Sequence, residues 1–357
     1  MGPLYPISYF NLNSVFSPSL NHLTNTGEIR WSNIRTRKKK PKLLEQMRND
    51  IRRKHYSRNT ERTYLYWVRQ YIYFHHKQHP QTLNSTHIEQ FLNHLALNKQ
   101  TSGTTQSQAL NAIVFLYREV LQQEVGDLDY LRKVRTFKNI PTVLSKEEVT
   151  QPSQQMRGTT KLMAALLYGA GLRINECITL RVQDIDLSLK TITIRNGKGQ
   201  QARVILISQK LLKPLERHLL KRKQLHVDDL HQGWGYVDLP FALARKCKNA
   251  PTSFQWQYLF PSSTVRPYGD THEFRRWHTS PRTLQKAIQQ AIKAVDLNKR
   301  VTAYTLRHTF ATHLLESGTD IRTIQELMGH KDVRTTMIYT HVLKKNLRSV
   351  TSPFDQL

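Results

Sequence analysis

The stretch "GHKDVRTTMIYTHVL" near the end of the chain puts Tyr339 nine positions after His330, which itself follows Gly329. A tyrosine at helical spacing is most often a partly buried packing residue, so its hydroxyl counts as a reagent only in the right company. "GAGLRINE" places Arg173 beside glycines with Glu176 one turn on, and Lys198 falls in the turn between two strand-like runs, "KTITIRN" and "RVILI". "YTLRHTF" puts Arg307 inside an otherwise apolar helix, where an unpartnered guanidinium is costly. Gly329 reads as a helix C-cap, which leaves His330 at a helix junction. Taken singly, these are a surface charge, a solubilising lysine and a core histidine. Taken together they suit phosphodiester cleavage without water or metal. A phenol that attacks phosphorus keeps the bond energy as an ester. Two permanently charged, planar guanidiniums can hold the charge that builds on the non-bridging oxygens. A flexible lysine can protonate the departing oxygen.

Composition points to the same partner. The 357 residues carry 54 Lys and Arg against 26 Asp and Glu, a net charge of +28, which fits a polyanion and nucleic acid before a membrane surface. There is no long apolar run. Two cysteines, Cys177 and Cys247, make neither a disulfide framework nor a metal set. The opening "MGPLYPISYFNLNSVF" lacks the pattern of a secretory signal, and Pro6 breaks a myristoylation motif. A cytoplasmic protein is expected.

The elements that must position these residues read as two domains. Residues 1–40 lack periodicity and end in "RTRKKKP", a disordered basic extension. Residues 41–124 show four amphipathic helices, with Met47 and Ile51, then Trp67, Val68 and Tyr71, then Ile88, Phe91 and Leu92, then Leu110, Ile113 and Tyr117 facing inward. Thr86 with Glu89 suggests the cap of the third helix. The polar face carries Arg52, Arg53, Lys54, Arg58, Arg62 and Arg69, one sign of charge suited to a DNA backbone. A basic linker spans 125–143, and Ser145 with Glu148 caps the first helix of a second domain, 144–350. Two strands around Asn196–Gly197 predict a hairpin, and 209–226 predicts a helix. An aromatic-rich stretch follows, in an insert of about 226–280, before helices resume at Pro281. Residues 351–357 form a tail.

In this order, the arginine, hairpin lysine, Tyr-x-x-Arg, Gly-His and late tyrosine resemble the active site of tyrosine site-specific recombinases over about residues 42–350. "LLYGAGLRINEC", "RHTFATHLLESG", "IQELMGHKDVRTTMIYTHVL" and "ALARKCKNAP" resemble the integron integrase branch. The resemblance implies a mainly α fold with a small antiparallel sheet, a two-domain C-shaped clamp with a SAM-like helical domain, and a homotetramer on DNA. It implies Tyr339 as nucleophile, Arg173 and Arg307 as the phosphate clamp, Lys198 as acid, His330 as a phosphate ligand and Glu176 as support for Arg173, with no cofactor or metal. It further implies that gene cassettes are integrated and excised at folded single-stranded hairpin sites. Extrahelical bases would be read through Trp256, Trp277 and His278, by stacking among cations. An amphipathic tail with Leu343, Leu347, Val350 and Phe354 would dock on a neighbouring subunit.

Four features depart from the family pattern. Tyr304 stands where the family has the histidine that accepts the nucleophile's proton, and a phenol is a poor base at neutral pH. Arg334 replaces a serine that could cap a helix. Pro152 is expected to interrupt the helix after "LSKEEV". Residues 1–40 have no counterpart. The alternative is a weakened or inactive relative that only binds its DNA site.

Overall fold

The computed structural model describes residues 42–124, 126, 141–195, 202–239, 243, 246–269 and 272–340, and the chain divides into two compact units, Met1–Phe137 and Lys138–Leu357. The basic extension, Lys198, most of the linker and the tail with Leu343, Leu347, Val350 and Phe354 lie outside the described residues.

In the first unit the four expected helices are α1 (Leu43–Arg53), α2 (Arg58–Phe74), α3 (Ser85–Asn93) and α4 (Gly103–Phe115). Ser57 and Ser102 cap α2 and α4, accepting from the backbone N–H groups of Thr60 and Thr105 at 3.0 and 3.3 Å. The third helix starts earlier than Thr86 suggests. Asn84 is its cap, and His87 supplies the reciprocal side chain that glutamate usually gives. Two apolar clusters hold the bundle, one around Met47, Ile51, Val68 and Leu116, the other around Trp67, Ile88, Phe91 and Ile113. The buried Tyr71 and Tyr117 hydroxyls pair at 3.0 Å, and Tyr117 donates to the Pro80 carbonyl at 2.9 Å, so neither polar tip is stranded.

The second unit holds α5 (Lys146–Gln155), α6 (Gly158–Gly169), α7 (Ile174–Thr179), a sheet of β1 (Ile185–Asp186), β2 (Thr191–Ile194) and β3 (Arg203–Leu206), and α8 (Gln209–His231). After a short β4–β5 ladder (Arg266–Pro267 with Phe274–Arg275) come α9 (Pro281–Ala294), α10 (Ala303–Glu316), α11 (Ile321–Met328), α12 (Val333–Thr336) and a 3₁₀ turn, Met337–Tyr339. Helix α6 is central, with Leu162, Met163, Leu166 and Leu167 buried and α8, α9 and α10 packed on it.

Two local expectations need correction. Pro152 does not stop α5, which runs on to Gln155; the ring is buried and lines an apolar cavity, and that burial offsets the one hydrogen bond it cannot donate. Helix α8 extends past 226 to His231 because its last turns bury polar side chains that hide the apolar period. Arg222 donates to the Tyr258 carbonyl at 2.9 Å, and Asp229 receives Arg276 at 2.7 Å. The expected hairpin strands pair antiparallel as β2 and β3, while Asn196 and Gly197 lie outside the described residues. Thr191 pairs with Leu206 and Ile194 with Arg203, so the connection 195–202 has its sequence midpoint at Lys198 and Gly199.

Candidate active site

Glu176 is the hub. Arg173, capping α7, donates its backbone N–H to Glu176 Oε2 at 2.8 Å and its Nη1 to Oε1 at 2.7 Å. From β3, Arg203 closes a two-pronged contact on the same carboxylate at 2.9 and 2.7 Å. Arg307 Nη1 stands 3.7 Å from Glu176 Oε2. Burial works to raise this carboxyl pKa, but the hydrogen bonds from Arg203 and Arg173 hold it below its ordinary value. Three guanidiniums against one carboxylate leave two positive charges uncompensated, in a place prepared for an anion.

The same arginines are fixed a second time, by the end of α11. The last carbonyls of a helix have no partner within it and form its negative pole. Here Leu327 O accepts from Arg203 Nε at 2.9 Å, Met328 O from Arg307 Nη2, and Gly329 O from Arg173 Nη2 at 2.8 Å. Gly329 adopts φ 59°, and a Cβ there would lie 2.7 Å from Arg203 Nη1. Conformation and clearance both require glycine. Arg307 also donates to Gly171 O, itself at φ +60° with the Phe310 ring against it. The cost of burying Arg307 is therefore met by two carbonyls. Burial, then the neighbouring Arg173, pulls its pKa down to about 10, which leaves it cationic at neutral pH.

His330 directly follows the Gly329 cap of α11. Its Nε2 faces Arg307 Nη2 at 3.3 Å and its Nδ1 meets Thr336 Oγ1 at 2.9 Å. Arginine only donates, so Nε2 accepts and the proton sits on Nδ1. Burial, then Arg307 and Arg173, pulls the His330 pKa down to about 4. The Tyr339 ring stacks beside it, centroids 6.3 Å apart, and is 1% exposed. Burial raises the Tyr339 pKa, with Arg307 opposing. Opposite lies α10, where Tyr304 is 63% exposed and sets its ring edge-on to buried His308 at 3.9 Å; His308 in turn is 5.2 Å from the Tyr339 ring. Asp332, accepting from Arg334 N at 2.9 Å, caps α12 and makes good the cap expected to be lost at Arg334.

The structure thus brings Arg173, Glu176, Arg307, His330, Tyr339 and Tyr304 together, while Lys198 falls outside the described residues. Sequence reasoning missed Arg203, Thr336 and His308. For Arg203 the signal was a charge on the inward face of β3, in register with Ile205. For His308 it was a second basic residue beside Arg307 in a buried helix.

The residues expected to meet DNA divide. Arg52 is held by Glu61 at 2.9 and 3.0 Å, Arg53 by Asp50 at 2.8 Å and Lys54 by Glu119. Exposed pairs of this kind are weak enough to open for a phosphate. Arg58, Arg62 and Arg69 are exposed and make no ion pair among the described residues. In the insert, Trp256 is half-buried with the Arg181 guanidinium 5.5 Å from its centroid, so one face is already covered. Trp277 is 40% exposed, with Tyr258 and His278 at 5.4 and 5.3 Å. No helix among the described residues is long and apolar enough to cross a membrane.

A profile of the phage integrase family matches residues 137–346, and one of the phage integrase N-terminal SAM-like domain matches 43–127. An integrase/recombinase of Escherichia coli is 41% identical over 316 residues, covering 88% of this chain and 94% of that protein. The tyrosine recombinase XerA of Pyrococcus horikoshii is 30% identical over 311 residues, covering 86% and 91%. The fold is shared with the Tn1549 transposon integrase in complex with transposon right end DNA, at TM-score 0.58 and 15% identity over 88% of this chain and 96% of that one. It is also shared with the XerH recombinase bound to a palindromic difH substrate, at TM-score 0.56 and 20% identity over 83% and 80%. The chain belongs to the phage integrase family of tyrosine recombinases, enzymes that cut and rejoin DNA.

Proposed function

We propose that this chain is a recombinase of the integron integrase type, moving gene cassettes through a 3′-phosphotyrosine intermediate in the cytoplasm. The observation that carries the chemistry is the cluster of Arg173, Arg203 and Arg307 around one carboxylate, with its surplus of positive charge beside Tyr339. The Tyr339 oxygen attacks phosphorus, the bond to the 5′-oxygen breaks, and Lys198 delivers the proton that oxygen needs. Arg173, Arg307 and His330 hold the non-bridging oxygens. Rejoining is the same path reversed, so the reading calls for no cofactor. Residues 41–124 would grip the backbone through Arg58 and its neighbours, and 144–350 would carry the chemistry.

Two observations support the finer reading. Exposed Trp277, beside His278, offers a ring face for an unpaired base, as a folded single-stranded hairpin site requires. Trp256 fits a support for Arg181 better than a stacking platform. An apolar cavity of about 330 Å³, lined by Val149, Pro152, Met156, Leu211, Ile288 and Leu306, would seat the amphipathic tail of a second copy, as a tetramer on two DNA sites requires.

The test is recombination of a cassette site offered as a folded bottom-strand hairpin and as paired duplex. Strand exchange favouring the hairpin supports the assignment. Exchange on duplex alone moves the chain to another recombinase branch, adduct with relaxation but no exchange makes it a topoisomerase, and specific binding with no adduct makes it a DNA-binding relative.

A further inference from the structure

The nucleophile must lose a proton, and the residue that takes it in the family pattern is Tyr304 here. Two imidazoles flank Tyr339. His330 has both nitrogens engaged, one with Thr336 and one with Arg307. His308 has neither: it is 4% exposed, and both Nδ1 and Nε2 are buried with no hydrogen-bond partner among the described residues. Buried polar atoms are nearly always paired, so an imidazole left with a free lone pair in a dense site calls for an explanation. Its surroundings supply one. The ring is wedged between Tyr304 and Tyr339, one residue along α10 from Arg307.

We propose that His308 is a catalytic residue, the acceptor of the Tyr339 proton, in the position left vacant by Tyr304. This rests on Tyr339 being the nucleophile. As the bond from the Tyr339 oxygen to phosphorus forms, its proton passes to a ring nitrogen of His308. The phosphorus–5′-oxygen bond breaks, and the 5′-oxygen takes a proton from Lys198. Rejoining returns both protons. No hydrogen bond joins His308 to Tyr339 in the unbound protein; such contacts commonly tighten only when substrate is in place. Burial of its ring, and then the Arg307 charge beside it, keep His308 neutral at physiological pH, with its pKa pulled down to about 4. It is thus unprotonated and available, though a weaker base than an exposed imidazole. An incoming phosphate, offsetting the Arg307 charge, would strengthen it.

A double-mutant cycle on a nicked suicide site tests this, read as the single-turnover rate of covalent adduct formation. His308→Gln keeps much of the side-chain volume and should slow cleavage at least about a hundredfold with DNA affinity unchanged, within the range of a lost general base. In a Tyr304→His background, where a second base is present, the same substitution should cost less than about threefold. A merely structural histidine would cost the same factor in both backgrounds, and that result, or a His308→Gln rate within about threefold of the parent, overturns the proposal. Should His308→Gln not fold, His308→Asn replaces it. Loss of fold in both variants, in either background, assigns His308 to the core. If the parent chain itself gives no adduct, or Tyr339→Phe still gives one, it is the assignment of Tyr339 that has failed.

Discussion

The two flanks of Tyr339 are built differently. On the flank of α7, β3 and the end of α11, Arg173, Arg203 and Arg307 are each held at least twice, by Glu176 and by consecutive carbonyls. On the α10 flank, Tyr304 is open to solvent and His308 has no hydrogen-bond partner among the described residues. On the proposed mechanism the first flank has to place charge closely before substrate arrives, since preorganised dipoles are what make such stabilisation large. On the same mechanism the second has only to move a proton, which several groups can do from several positions. Substitution at Tyr304 is tolerable where substitution at Glu176 would not be.

That contrast can be broken by removing the hub. Glu176→Gln should lower adduct formation by about 10²–10³. It should also destabilise the chain by about 3–5 kcal/mol, because buried guanidiniums lose their counter-charge. Retained cleavage together with a retained unfolding midpoint would mean that the carbonyls of α11 suffice to hold the arginines. The other flank is sharpened by Tyr304→His. An exposed imidazole near its ordinary pKa is a better base than buried His308, so cleavage near neutral pH should rise at least about tenfold with DNA affinity unchanged. An unchanged rate would mean that proton acceptance does not limit cleavage.

Away from the pocket, Trp277→Ala should weaken binding to a bulged hairpin more than to paired duplex. The expected loss is near the lower end of the roughly 1–3 kcal/mol per stacked base, since the ring is only partly exposed. Equal losses on both DNAs would return Trp277 to the packing around Tyr258. The smallest effect concerns pH. His308 and His330 sit at about 4 in the folded chain, below their ordinary 6.5. Between these values the unfolded chain binds more protons, so stability is present above about pH 6.5 and is lost as pH falls towards 4. The unfolding midpoint should drop across that window, and His308→Gln should flatten part of the slope. A parent chain indifferent to pH there would place both imidazoles in wetter surroundings.

Much of this architecture is legible in the amino-acid sequence, for identifiable reasons. Helix periods mark Met47, Ile51, Tyr71 and Ile113 as core, and Gly329 before His330 signals a left-handed cap. Arg307 in an apolar helix demands a partner, and it has two carbonyls. What stays hidden depends on distance along the chain. Arg173, Arg203 and Arg307 converge on one helix end from three separate elements, which no local pattern records. The free lone pairs of His308 are likewise a property of what surrounds it, not of "RHTF". Pro152 misleads because a rule about backbone hydrogen bonding is outweighed by burial of its ring, and Asn84 escapes notice because His87 stands where a capping glutamate is sought.

On the proposed mechanism the surplus positive charge around Glu176 serves attack by Tyr339 on DNA. That role is tested most directly by incubating the full chain with a nicked suicide site, isolating the SDS-resistant product and mapping the phosphorylated residue by peptide mass spectrometry. The expected result is a 3′-phosphoryl bond on Tyr339, abolished in Tyr339→Phe with site binding intact. A linkage at Tyr304 or another hydroxyl, or an adduct that survives Tyr339→Phe, would contradict it.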